Sequence, residues 1–135
     1  MKTPFLYAAW IVALIGLLIS IGAEVWGMVP CRLCWYQRIA LFPLVWILGY
    51  AVYKDDVEGA RYALGFVAFG AGVATLQVIE PILPFGDALC GASSCQEAAF
   101  FSNLLPFPVV SLVGFLCIGG LLILNLRAHP SRKID

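Results

Sequence analysis

Four of the five cysteines fall into two pairs, and their spacing is the first chemistry the sequence offers. Cys31-Arg32-Leu33-Cys34 stands at the mouth of a hydrophobic stretch. Two thiols spaced this way can close into a small, strained disulfide ring, which exchanges more readily than a structural bridge. Cys34 is expected near the N-terminus of the helix that follows, where exposed N–H groups, Arg32 and Arg38 favour thiolate over thiol. Spacing alone leaves three readings open: a redox centre, a structural disulfide, or half of a zinc site. The second pair is Cys90 and Cys95, with Gly91, Ser93 and Ser94 between them supplying turn freedom. Cys117 lies midway along an apolar run; its simplest reading is a small buried hydrophobe, the other being a contact to a membrane-dissolved cofactor.

The elements that must position these sulfurs follow from composition. The chain has 135 residues, 62% hydrophobic and only 12% charged, with a formal net charge of zero. One domain embedded in a membrane is implied, and no broad basic surface exists to track nucleic acid. The expected architecture is an all-α membrane protein, a four-transmembrane-helix antiparallel bundle forming a single domain over 1–135. Its spans are placed at about 5–23, 35–53, 62–79 and 107–126, with outer loops at 24–34 and 80–106. Phe5 to Gly22 is uncharged and longer than the core of a signal peptide, so it reads as a span despite Lys2 ahead of it. Arg38 belongs at the interface, because at the bilayer centre an arginine costs about 3 kcal/mol on insertion scales. Pro43 removes a backbone hydrogen bond inside the second span, which leaves two readings open: a bend that opens space between helices, or a proline simply tolerated in a membrane helix. In the third span, Ala68 with Gly72 and Gly70 with Ala74 have the spacing of close helix contacts. Phe100, Phe101, Leu104 and Leu105 make the second outer loop apolar enough to lie along the membrane surface.

Charge sets the orientation. Lys2, Lys54, Arg61, Arg127, Arg132 and Lys133 flank the termini and the short turn near 54–61, whereas only Arg32 and Arg38 fall at the other side. The positive-inside bias therefore places both termini in the cytoplasm and both cysteine pairs outside. In that compartment paired thiols tend to be oxidised, and the one histidine, His129, lies in the cytoplasmic tail. A zinc site would need all four thiolates of Cys31, Cys34, Cys90 and Cys95.

Two outward-facing dithiols suggest a relay, one pair reachable from water and the other from lipid. The sequence offers no haem-attachment motif, no dinucleotide glycine fingerprint and no iron–sulfur ligand set to take the electrons. A mobile two-electron carrier such as a quinone is the economical acceptor. Arg38, one turn beyond Cys34, could offer charge and hydrogen bonds to a quinone oxygen; otherwise it is an arginine for lipid headgroups.

Cys31-Arg-Leu-Cys34-Trp-Tyr-Gln-Arg38 followed by Ala40-Leu41-Phe42-Pro43, four spans and a cysteine pair in the second outer loop resemble the DsbB family, most closely its short BdbC-like members. The resemblance covers nearly the whole chain. It implies a thiol-disulfide oxidoreductase of the bacterial plasma membrane that reoxidises a thioredoxin-fold, DsbA-like partner and passes electrons to ubiquinone or menaquinone. It also implies the disulfides Cys31–Cys34 and Cys90–Cys95. Cys90 would then be attacked by the partner's thiolate, and Cys95 would be its pair. Cys31 would exchange with the outer pair through a transient Cys31–Cys95 bridge. Cys34 would face the quinone, with Arg38 as the quinone-side arginine and no metal. This chain departs from the longer members in having only four residues between Cys90 and Cys95. Vitamin K epoxide reductase homologues share a four-helix bundle, but their quinone-facing cysteines lie late in the chain. The competing readings are a redox-inert membrane scaffold stapled by disulfides, a zinc-stabilised module, and an enzyme with electron flow reversed.

Overall fold

The computed structural model describes residues 3–27, 32–82, 84 and 107–130. Among these residues the chain is helical, with no strand: α1 spans Pro4–Val25, α2 Arg32–Lys54, α3 Val57–Ile79 and α4 Phe107–Ala128, and a single 3-10 turn covers Glu80–Ile82. Three of the four helices, α1, α3 and the stretch Pro108–Ala128 of α4, are long and apolar enough to cross a membrane. At 23 residues, α2 matches them in length, but Arg32, Gln37 and Arg38 occupy its opening turns. The helix continues through Pro43.

The helix ends show why the chain turns where it does. Pro4 opens α1, where its missing N–H costs nothing. Gly27, at φ +89°, takes the left-handed conformation just after α1, a region that strains a side-chain-bearing residue. Between α2 and α3 the connection is two residues long. Asp55 adopts φ +51°, its N–H reaching the Val52 carbonyl at 3.4 Å while the Asp56 N–H reaches Ala51 at 2.9 Å. This is a Schellman closure of α2. Asp56 then caps α3, its carboxylate accepting from the Glu58 N–H at 2.9 Å.

Packing joins α1 with α2, α2 with α3, α3 with α4, and α4 with α1. The interior is built largely from small residues: Ala9 and Ala13 of α1, Ala51 of α2, and Ala60, Ala63 and Ala74 of α3 are all fully buried. Larger side chains fill the gaps, notably Leu6, Leu44, Leu48, Phe115 and Leu122. Gly70 is where α3 meets α4 most closely, since a Cβ there would lie 2.2 Å from the Phe115 ring. The outside is apolar, with Leu18, Trp46, Tyr53, Tyr62 and Leu116 exposed. Small residues inside and large apolar ones outside are what lipid selects, because tails solvate leucine as well as a core does and close backbone approach must supply the attraction. Trp46 apart, the exposed tryptophans and tyrosines lie toward the helix ends, with Trp26, Trp35 and Tyr36 at one and Tyr50, Tyr53 and Tyr62 at the other, as in the belts of membrane proteins.

Two expectations need correction. Cys117 is exposed on the outer surface of α4, not buried, because Phe115 and Ile118 occupy the inward positions of that turn. Of the two small-residue pairs on α3, Gly70 and Ala74 are buried, whereas Ala68 and Gly72 face outward. The second outer loop, including Phe100, Phe101, Leu104 and Leu105, lies outside the described residues.

Candidate functional site

A cluster of polar residues lies where α1 ends and α2 begins. Cys34 is the third residue of α2, half-buried, and Gln37 and Arg38 follow it one turn on. Spacings of three and four place them beside Cys34 along the helix. They diverge to different neighbours.

Gln37 turns inward. Its Nε2 donates to Gln77 Oε1 of α3 at 2.7 Å, while its own Oε1 accepts from the Ser111 hydroxyl of α4 at 2.7 Å. Gln77 in turn donates through Nε2 to the Cys34 sulfur at 3.4 Å. A continuous chain of hydrogen bonds thus runs from Ser111 through Gln37 and Gln77 to Sγ, linking three helices. Gln37 and Gln77 are only 8% and 4% exposed, and this pairing satisfies amides that would otherwise be costly to bury.

Arg38 turns to α1. Its Nη1 pairs with the Glu24 carboxylate, its Nη2 donates to the Ser20 carbonyl at 2.9 Å, and its Nε donates to the Ser20 hydroxyl at 3.3 Å. The guanidinium carbon lies 5.2 Å from the centre of the Trp35 ring. A guanidinium carries five N–H donors, so among the described residues one on each Nη has no acceptor. Glu24 is nearly half exposed and Arg38 is buried, so the pair brings a positive charge under the helix ends with its counter-ion at the rim.

Of the residues singled out in the sequence, Cys34 and Arg38 are thus placed one turn apart at the start of α2, Cys34 meeting α3 and Arg38 meeting α1. Cys31, Cys90 and Cys95, and with them the Cys31–Cys34 and Cys90–Cys95 bridges, lie outside the described residues. Sequence reasoning missed Ser20, Glu24, Gln77 and Ser111. The signal was present: Gln77 and Ser111 are polar residues inside otherwise apolar runs, and such residues seek interior partners.

A multi-pass helical membrane protein with a Cys-x-x-Cys at the start of one helix, and a polar cluster gathered on its second sulfur, belongs among thiol-redox membrane proteins. Comparison with known proteins gives the family. Residues 2–125 match the family model "Disulfide bond formation protein DsbB", and the chain belongs to that family. It is 39% identical to the "Probable disulfide formation protein" of Chlamydia trachomatis, over 95% of this chain and 96% of that protein. It is 34% identical to "Disulfide bond formation protein C" of Bacillus subtilis, over 87% and 88% of the two chains. A "Probable disulfide formation protein" from Metapseudomonas resinovorans is 37% identical over 94% and 92%. No solved structure matches. The chain is therefore a membrane protein of disulfide bond formation, and its chemistry is thiol–disulfide oxidoreduction.

Proposed function

We propose that this chain reoxidises a thioredoxin-fold, DsbA-like partner outside the cytoplasm and delivers the electrons to a membrane quinone. The observation that carries the reading is the position of Cys34: half-buried in the first turn of α2, with a hydrogen-bond donor on its sulfur and the Arg38 guanidinium one turn away. All four helices span the bacterial plasma membrane as an antiparallel bundle in this reading. Lys54 and Arg61 flank the α2–α3 turn at the end away from Cys34, which supports cytoplasmic termini and an extracytoplasmic site.

The partner's thiolate attacks Cys90 of a Cys90–Cys95 disulfide, forming a mixed disulfide and releasing Cys95 as thiolate. The partner's second thiolate then attacks the partner's sulfur of the mixed disulfide, closing the partner's own disulfide and releasing Cys90, so that Cys90 and Cys95 are both reduced. They are reoxidised by exchange with a Cys31–Cys34 disulfide: Cys95 attacks Cys31, forming a Cys31–Cys95 bridge and releasing Cys34 as the thiolate, and Cys90 then attacks Cys95, re-forming Cys90–Cys95 and releasing Cys31. Re-forming the Cys31–Cys34 bond releases two electrons and two protons. A bound ubiquinone or menaquinone supplies the acceptor for both. The donor set suits such a molecule: Arg38 has N–H groups for a carbonyl oxygen, and Trp35 offers an exposed ring face beside it.

The test is turnover by the full chain in lipid nanodiscs with a reduced thioredoxin-fold protein and a soluble quinone. Quinone is consumed by the parent, and Cys34→Ser or Cys90→Ser abolishes consumption. Sustained turnover by both variants rules the proposal out.

A further inference from the structure

The Ser111–Gln37–Gln77–Cys34 chain has a direction, and that direction matters for the sulfur. An amide presents a donor at one end and an acceptor at the other, so each link fixes the next. With the Ser111 hydroxyl donating to Gln37 Oε1, the Gln37 NH2 is committed to Gln77 Oε1. The Gln77 NH2 is thereby left to face Cys34. A thiolate accepts hydrogen bonds and donates none, so a donor held against it stabilises the charged form. The reverse chain would set a carbonyl oxygen against sulfur and favour the thiol.

We propose that Gln77 is a catalytic hydrogen-bond donor to the Cys34 sulfur, and that Ser111, acting through Gln37, is the positioning residue that keeps the Gln77 amide turned that way. The inference rests on the reading of Cys34 as the reactive thiolate. Among the described residues, the charged groups at this end of the helices are Arg32 and Arg38 on α2, Glu24 on α1 and Glu80 capping α3, with the Tyr36 phenol also on α2. The α4 helix carries no charged residue before Arg127. Arg38 is taken up by Glu24 and Ser20, on the α1 side. The contact from Gln77 therefore adds a donor without adding a charge. Neither an amide nor a hydroxyl titrates in the working range, so the donor is present at every pH. Its loss displaces the titration of Cys34 without adding a second step.

The experiment uses the full chain in nanodiscs with Cys31, Cys90, Cys95 and Cys117 replaced by serine, leaving Cys34 as the one thiol. The rate of alkylation by iodoacetamide is followed against pH. Gln77→Met keeps the length of the side chain and removes the donor. The midpoint is expected to rise in Gln77→Met and alkylation at pH 7 to fall about tenfold, the size of a charge-assisted hydrogen bond. Ser111→Ala moves the midpoint the same way by less, and Ser111→Thr, which keeps the hydroxyl, restores it. Helical content by circular dichroism selects folded samples, and Gln77→Leu, which also lacks a donor and adds no charge, replaces Gln77→Met if the latter fails to fold. An unmoved midpoint in the donor-less variant overturns the proposal. Quinone turnover is measured separately, in the chain with its cysteines intact. If the midpoint rises while turnover holds, Gln77 donates as proposed and the assignment of Cys34 as the quinone-side thiolate is what fails.

Discussion

Arg38 belongs to α2, yet it is Glu24, fourteen positions earlier on α1, that holds its guanidinium. With two further bonds to Ser20, the arginine uses N–H groups on all three nitrogens of a rigid planar fork, a spread that the compact ammonium of a lysine does not reproduce. Arg38→Lys is expected to keep the charge but lose most of this geometry, lowering quinone turnover about tenfold or more with folding retained. Glu24→Gln should leave the bonds to Ser20 and remove the counter-ion, a smaller change. Steady-state quinone reduction by the two variants in nanodiscs checks the order; equal rates for Arg38→Lys and the parent would show that the fork is not required.

Close approach of α3 and α4 at Gly70 gives a second expectation. A methyl there would strike the Phe115 ring, whereas at Gly72, one half-turn on, it meets nothing within 4 Å. Gly70→Ala should destabilise the chain by about 1–3 kcal/mol through overpacking. Gly72→Ala should be neutral or slightly favourable. Thermal unfolding in one detergent compares them directly.

Asn125 is fully buried near the C-terminal end of α4, and neither its Oδ1 nor its Nδ2 finds a partner among the described residues. Removing both atoms at once relieves the desolvation of an amide while keeping volume in place. Asn125→Leu is therefore expected to raise stability by about 1–2 kcal/mol with unchanged turnover. A lower melting temperature would mean that the amide is satisfied in the membrane by a group these contacts do not include.

The apolar runs told where helices would form, because an uncharged stretch long enough to cross a bilayer has few other uses. They could not tell which way each helix faces. A helix apolar all round has no polar side to orient it, so spacing makes Ala68 with Gly72 equivalent to Gly70 with Ala74, and nothing in its run marks Cys117 as facing outward. Cys34 and Arg38 are legible from spacing, but Glu24 merely follows the first expected span and Gln77 merely falls inside the third. Their contacts join residues 14 and 43 positions apart, and no local pattern carries that information.

Cys34 rides on the first turn of an α-helix that runs to Lys54 with its far end clamped by the Asp55–Asp56 turn. A Cα so tied into a regular ladder of backbone bonds has little room to travel. Gain or loss of a bond between Cys34 and any other sulfur must then come from rotation of its own side chain or from displacement of the other partner. The helix serves as a fixed post toward which the exchanging sulfurs are brought.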